Sequence, residues 1–217
     1  MQTGNIGADV TGVLLAGGRS SRMGGREKAL LSLGGRPMLQ HVADRFGPQV
    51  ARTVINANGD PARFADFALP VVADSIEGQP GPLAGLLTGI AWARRETPAA
   101  RFIATVPADC PFLPRDLVAR LMAALLEADS PCAIAATAGQ RHPVAGLWRM
   151  ELADAAADAL AQNMRALHRF ADAQGCAVAA FSPVRIDGAE VDPFFNVNTP
   201  GDLERAEALL GKEDIRA

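Results

Sequence analysis

Six short apolar runs constrain what this 217-residue chain can fold into more than any other feature: "VTGVLLA" (10–16), "RTVINA" (52–57), "LPVVAD" (69–74), "RFIATVPAD" (101–109), "PCAIAAT" (131–137) and "CAVAAF" (176–181). Each has the length of a strand. Their apolar residues run nearly continuously rather than alternating, as in strands covered on both faces. Helical patterns separate them. "RPMLQHVADRFG" opens near a proline and closes on a glycine. "GPLAGLLTGIAWARRE" puts Leu83, Leu86, Leu87, Ile90 and Ala91 on one stripe, and "PRDLVARLMAALLEAD" does the same with Leu117, Leu121 and Leu125.

This alternation predicts an α/β fold, a single Rossmann-like domain over 1–217 with a mostly parallel sheet, helices on both faces and a small antiparallel element. The antiparallel element is "GQRHPVAGLW" (139–148), extended after a glycine turn and set against "CAIAAT". Residues 150–174 are alanine-rich and read as helical. The final helix follows "FFNVNT", with Thr199 as its cap and proline at its first position. Residues 1–9 are expected to be flexible.

Bulk composition excludes several classes of function. A formal charge of −3 argues against a general nucleic-acid or membrane-surface binder. Aromatic content of 5% with no tyrosine argues against surfaces that stack on single strands. No apolar run is long enough to cross a bilayer, and "MQTGNIGADV" has no basic start or apolar core of a secretory signal. A cytoplasmic location is therefore expected. Cys110, Cys132 and Cys176 are widely spaced and suggest neither a disulfide framework nor a zinc site.

In open parallel sheets, ligands sit beyond the carboxyl ends of the strands. The residues just past each run are then Gly17 and Gly18, Asn56, Asp74 and Asp109. Residues 17–28 also hold Arg19, Arg22, Arg26 and Lys28 against the single carboxylate of Glu27. Glycines let backbone N–H groups approach an anion closely, and cations so concentrated in an acidic chain point to a phosphate chain. The segment fits neither G-x-x-x-x-G-K-[ST] nor G-x-G-x-x-G, so a solvated basic turn stays open beside a phosphate cradle. Asp109 in "VPADCPFLP" reads either as a ligand of Mg²⁺, which keeps several waters and takes other oxygens from phosphates, or as a cap on the turn that follows.

The run "LLAGGRSSRMGGREKALLSLGGRPML" resembles the signature of the nucleotidyltransferase superfamily. "VINAN" (54–58), "DSIEGQPGPLAG" (74–85), "VPADCPFLP" (106–114), "RHPVAGLW" (141–148) and "FNVNTPGDL" (195–203), in that order, resemble the molybdenum cofactor guanylyltransferase family more narrowly. The resemblance implies transfer of GMP from MgGTP to the terminal phosphate of molybdopterin, with Mg²⁺ as cofactor. Molybdoenzyme apoproteins and other cofactor-biosynthesis proteins would be further partners. It places Leu15, Ala16 and Gly17 in the nucleotide-binding segment, with Lys28 on the phosphates; backbone N–H groups around Gly17 and Gly18 would then hold the phosphates, and Lys28 with Arg22 would stabilise the departing pyrophosphate. Asn56 and Asp74 become further GTP contacts, and Asp109 the residue on both GTP and Mg²⁺. "HP" (142–143) and "NVN" (196–198) fall toward the pterin side. Where the family has aspartate before the lysine, this chain has Glu27. The rival readings are a related enzyme using CTP, a sugar-phosphate nucleotidyltransferase, and a non-catalytic nucleotide sensor or cofactor-delivery protein.

Overall fold

Val10–Leu15 (β1) is an interior strand of the sheet, and its two sets of side chains enter different cores. Val10 and Leu14 join one buried cluster, while Val13 joins another on the opposite face. The computed structural model describes residues 6–17, 27–74, 81–186 and 188–213. The remaining strands are β2 (Ser32–Leu33), β3 (Arg36–Pro37), β4 (Arg52–Asn56), β5 (Val71–Val72), β6 (Phe102–Pro107), β7 (Cys132–Thr137), β8 (Gln140–Arg149), β9 (Ala177–Phe181), β10 (Val184–Ile186) and β11 (Ala189–Val191). The helices are α1 (Met38–Phe46), α2 (Pro82–Glu96), α3 (Leu117–Glu127), α4 (Ala153–Ala161), α5 (Leu167–Ala173) and α6 (Pro200–Glu213).

Seven strands form one sheet in the order β5-β4-β1-β6-β8-β7-β9. Only β8 runs antiparallel to its neighbours, so the mostly parallel α/β reading holds. Helices α1 and α3 cover one face through Leu39, Val42, Phe46, Leu117, Leu121 and Leu125. The other face is covered by α2, α4 and α5 through Leu83, Leu86, Ile90, Leu160 and Phe170. The chain runs outward from β1 to β4 and β5, and then returns through α2 to β6 on the other side of β1. That reversal opens a crevice at the carboxyl ends of β4, β1 and β6.

Two glycines of α2 set its distance from the sheet. A Cβ on Gly89 would lie 2.5 Å from Val13 Cγ2, and one on Gly85 would lie 2.5 Å from both Leu15 Cδ2 and Asn56 Oδ1. In β8, Pro143 cannot donate to the ladder, and the register with β7 shifts between Ile134 and Ala135. The Val144 carbonyl accepts from Thr105 Oγ1 at 2.9 Å instead. A third cluster ties the hairpins β2–β3 and β10–β11 to α6 through Leu33, Met38, Ile186, Val191, Ala206 and Leu209; it also includes Phe112 and Val197. The cap on α6 is reciprocal. Thr199 Oγ1 accepts from Asp202 N at 3.2 Å, and Asp202 Oδ2 accepts from Thr199 N at 2.8 Å.

Ile6–Asp9 is a 3-10 turn, with the Asp9 carbonyl accepting from Arg101 N at 2.8 Å; residues 1–5 lie outside the described residues. Two expectations need correction. The alanine-rich stretch 150–174 is two helices, broken where Asn163 takes a left-handed conformation (φ 62°) and Arg165 turns its carbonyl to Leu83 N. Ala91 is exposed, because the buried arc of α2 continues through Trp92 and Ala93.

Candidate active site

Strand register assembles the site. Leu15 stands opposite Asn56 in β4 and opposite Pro107 in β6, and Asn56 stands opposite Val72 in β5. The ladder continues one residue further. Ala16 N donates to the Asn56 carbonyl at 2.9 Å, Ala108 N to Leu15 at 3.1 Å, and Ala57 N to Val72 at 3.0 Å. Residues that follow each strand therefore emerge along one edge, around a cleft of about 590 Å³. Its volume lies in the range of small-molecule sites, about 300–1,000 Å³.

One wall carries charge. Lys28, at the start of a 3-10 turn, points its ammonium at Asp109 Oδ2 (3.5 Å) and donates to Asn198 Oδ1. Both charged side chains are about four-fifths buried, with 21% and 20% exposure. Burial pushes the Asp109 carboxyl above the usual carboxylate range, and the Lys28 charge and hydrogen bond pull it only part of the way back. The segment with Asn196 and Asn198 lies alongside, held by Val197 N donating to the Asp109 carbonyl at 3.0 Å. Cys110 Sγ donates to Asn196 Oδ1 at 2.8 Å. Burial, followed by the Asp109 and Asp192 carboxylates, pushes this thiol well above its ordinary range, so it stays protonated.

The opposite wall is a carboxamide–carboxylate network. Asn56 Nδ2 donates to Asp74 Oδ1 at 3.0 Å and to the Val72 carbonyl at 3.2 Å. Asn58 closes a ring on the same residue: its Nδ2 donates to Asp74 Oδ2 at 2.7 Å, and its Oδ1 accepts from Asp74 N at 2.8 Å. Each carboxylate oxygen of Asp74 thus has an amide donor. At the rim, the Arg63 guanidinium pairs with Glu27 and donates from Nε to the Asp60 carbonyl at 2.9 Å.

Of the residues expected from sequence, Leu15, Ala16, Gly17, Lys28, Asn56, Asp74 and Asp109 all line this cleft. Gly18 and Arg22 lie outside the described residues. The Ala16 N–H is committed to Asn56, so any backbone donors the loop offers a ligand begin at Gly17. Among the described residues, a Cβ on Gly17 would meet nothing within 4 Å. His142 does not line the cleft. Its ring stacks on Phe194 with centroids 4.6 Å apart, and Nε2 lies 3.6 Å from Asp192 Oδ2. Burial lowers its pKa, with Asp192 acting in the opposite direction. Asn58 and Arg63 also line the cleft without having been singled out, as does Glu27, whose role the sequence left open. Asn58 carried one signal: it stands two residues beyond Asn56. Arg63 carried none.

Among the described residues, no group of three or more His, Cys, Asp or Glu side chains converges as a metal cage. The donor set nevertheless suits a hard cation that brings its own waters. Asp109 Oδ2 and Asn198 Oδ1 already converge on the Lys28 ammonium, and a single carboxylate is sufficient where phosphates supply the other oxygens.

Residues 12–178 match the family described as the MobA-like NTP transferase domain. The molybdenum cofactor guanylyltransferase of Rhodopseudomonas palustris (strain HaA2) is 48% identical over 202 residues, which span 93% of this chain and 92% of the relative. The protein of that name from Bradyrhizobium sp. (strain ORS 278) is 47% identical over 206 residues, 94% of this chain and 95% of the relative. The chain belongs to the molybdenum cofactor guanylyltransferase family. The structure of molybdopterin-guanine dinucleotide biosynthesis protein A from Archaeoglobus fulgidus has this fold, with a TM-score of 0.68 at 21% identity, covering 93% of this chain and 99% of that one. A CMP:2-keto-3-deoxy-manno-octonic acid synthetase complexed with CTP is equally similar, with a TM-score of 0.69 at 17% identity, covering 94% of this chain and 99% of that one. The fold therefore does not choose the base. Membership of the guanylyltransferase family rests on sequence, and it disfavours the CTP reading. Among the described residues of this family member, no helix is long and apolar enough to cross a membrane.

Proposed function

We propose that this chain transfers GMP from GTP to the terminal phosphate of molybdopterin, giving the guanine dinucleotide form of the cofactor and pyrophosphate. The observation that carries the reading is 48% identity to a protein named molybdenum cofactor guanylyltransferase across nearly the whole chain. The geometry supports it. A phosphate oxygen of the acceptor attacks the α-phosphorus of GTP, a P–O bond to the acceptor forms, and the bond to the β-phosphate breaks. The attacking group is already an anion, so the work is positioning and charge neutralisation rather than base catalysis. A cleft without a histidine on its wall fits that requirement.

In this reading, Lys28 faces the phosphate chain and stabilises the charge that develops on the departing pyrophosphate. Gly17 leaves room for the phosphates, and Gly18 and Arg22, which follow it in the sequence, would add a backbone N–H and a cation for them. Asp109, with Asn198 beside it, holds Mg²⁺, which when bound neutralises charge on the phosphates. Asn56 and Asp74 hold the nucleoside end, with Asn58 fixing the carboxylate. Leu15 and Ala16 form the floor. The remaining partners proposed are those of cofactor handling, the apoproteins and biosynthetic proteins that take up or deliver the product, with a cytoplasmic location.

The test is incubation with GTP, Mg²⁺ and molybdopterin, with the product identified by mass and pyrophosphate measured in parallel. The guanine dinucleotide and stoichiometric pyrophosphate are expected, with CTP giving little product in the same assay. A preference for CTP, or tight binding of GTP and molybdopterin without pyrophosphate release, would overturn the reading.

A further inference from the structure

Cys110 is a nucleophilic side chain beside the cleft that the chemistry above does not use. It follows Asp109 directly, is 1% exposed, and sits behind the wall rather than on it. Its Sγ lies 2.8 Å from Asn196 Oδ1 and 3.4 Å from the Phe194 carbonyl. Asn196 itself lines the cleft.

A carboxamide has one accepting end and one donating end, and a thiol has a single hydrogen to give. Pairing the thiol with Oδ1 decides which way the amide is turned. With the oxygen committed to the wall, the NH₂ is the end left for a ligand. The backbone bond from Val197 N to the Asp109 carbonyl keeps the two segments side by side, so the pairing does not depend on a mobile loop.

We propose that Cys110 is a positioning residue: its thiol hydrogen anchors the Asn196 carboxamide so that the NH₂ faces the cleft as a donor to a phosphate oxygen of a substrate. The inference rests on reading this cleft as the site of GMP transfer. The phosphate belongs to either GTP or the acceptor, and the kinetics distinguish them.

The experiment is steady-state transfer by the full chain, with GTP and molybdopterin varied in turn. Cys110→Ala is expected to raise one of the two KM values about tenfold, the scale of a hydrogen bond to a charged group, with a much smaller change in kcat. A rise confined to GTP assigns the donor to the nucleotide; a rise confined to molybdopterin assigns it to the acceptor. Cys110→Ser keeps a donor and is expected to restore most of that KM. Asn196→Asp keeps an oxygen for the thiol but replaces the NH₂ with an anionic oxygen, and is expected to raise the same KM at least as much with little change in Tm. Unchanged KM values in Cys110→Ala would overturn the proposal, as would a serine variant no better than alanine, which would make the sulfur mere packing. Should Cys110→Ala fail to fold, Asn196→Asp with both KM values unmoved overturns it equally. Wild-type transfer, run alongside, separates the two ideas: its absence sinks the reading of the site, whereas normal wild-type transfer with an unmoved Cys110→Ala sinks this proposal alone.

Discussion

Gly85 and Gly89 offer a matched pair of perturbations on one helix face, only one of which touches the site. Alanine in place of either glycine gains about 0.8–1 kcal/mol of helix propensity. Against that gain, each new methyl would sit 2.5 Å from a neighbouring heavy atom, about 1 Å inside ordinary contact. Overpacking of this kind costs about 1–3 kcal/mol, so a net loss of roughly 0–2 kcal/mol is expected at both positions. The difference lies in which neighbour yields. At Gly89 the contact is Val13 Cγ2, a β-branched side chain in the sheet core, stiff at χ1. At Gly85 the contacts are the ends of Leu15 and Asn56, and the cheapest adjustment rotates the Asn56 carboxamide. That rotation breaks its bonds to Asp74 Oδ1 and to the Val72 carbonyl. Gly85→Ala is therefore expected to weaken GTP binding by about tenfold, the scale of one hydrogen bond to a charged group, and Gly89→Ala by less than about twofold. Urea denaturation gives the stability of each, and calorimetric titration with GTP in the presence of Mg²⁺ gives the affinity. Wild-type affinity in Gly85→Ala, or an equal loss in both variants, would refute the reasoning.

Two further perturbations test the walls separately. Gly17→Ala is expected to leave urea stability unchanged, because its methyl meets none of the described residues, yet to weaken GTP binding by filling the space proposed for the phosphates; unchanged affinity would place the triphosphate elsewhere. Asp109→Asn is expected to lose about 10²-fold in turnover while being at least as stable as wild type at neutral pH. The sign follows from burial holding the folded carboxyl above its unfolded value near 3.9. The folded state then holds on to its proton longer, so wild-type stability falls as pH rises from that value through the raised folded one. Unfolding curves of the two proteins should therefore converge below about pH 3.9 and diverge above it; a variant less stable than wild type at neutral pH would mean that the Lys28 pairing outweighs desolvation.

The sheet was legible because β1, β4, β6 and β7 are buried on both faces, which leaves their sequences continuously apolar. The cleft was legible for a related reason: its lining residues Asn56, Asp74 and Asp109 stand at the carboxyl ends of such runs. What escaped depends on contacts between distant segments. Asn163 breaks an alanine-rich stretch whose local propensity is helical throughout, since the turn there lets the Arg165 carbonyl meet Leu83 N on α2. Ala91 lies on the predicted stripe, but α2 is wedged between the sheet and the helices α4 and α5, which makes its buried arc wider than a simple amphipathic pattern implies. Arg63 has no local signature; only the course of the chain after Asn58 brings it to Glu27.

The two walls also differ in how they are assembled. The Asn56–Asn58–Asp74 wall grows from adjacent parallel strands and lies within 18 residues of sequence. The Lys28–Asn198 contact spans 170 residues, and its Asn198 arm is held by the segment that the third cluster packs, with Val197 inside it. The wall proposed for the nucleoside is thus built into the sheet. Placement of the cation and of the carboxamides beside Asp109 depends on α6 and the two hairpins closing over the chain's last described third. Lesions in that cluster should reach phosphate chemistry before they reach the nucleoside wall, because Leu33, Ala206 and Leu209 support Val197 and so the strip carrying Asn196 and Asn198, whereas Asp74 is anchored by carboxamides standing at the end of β4.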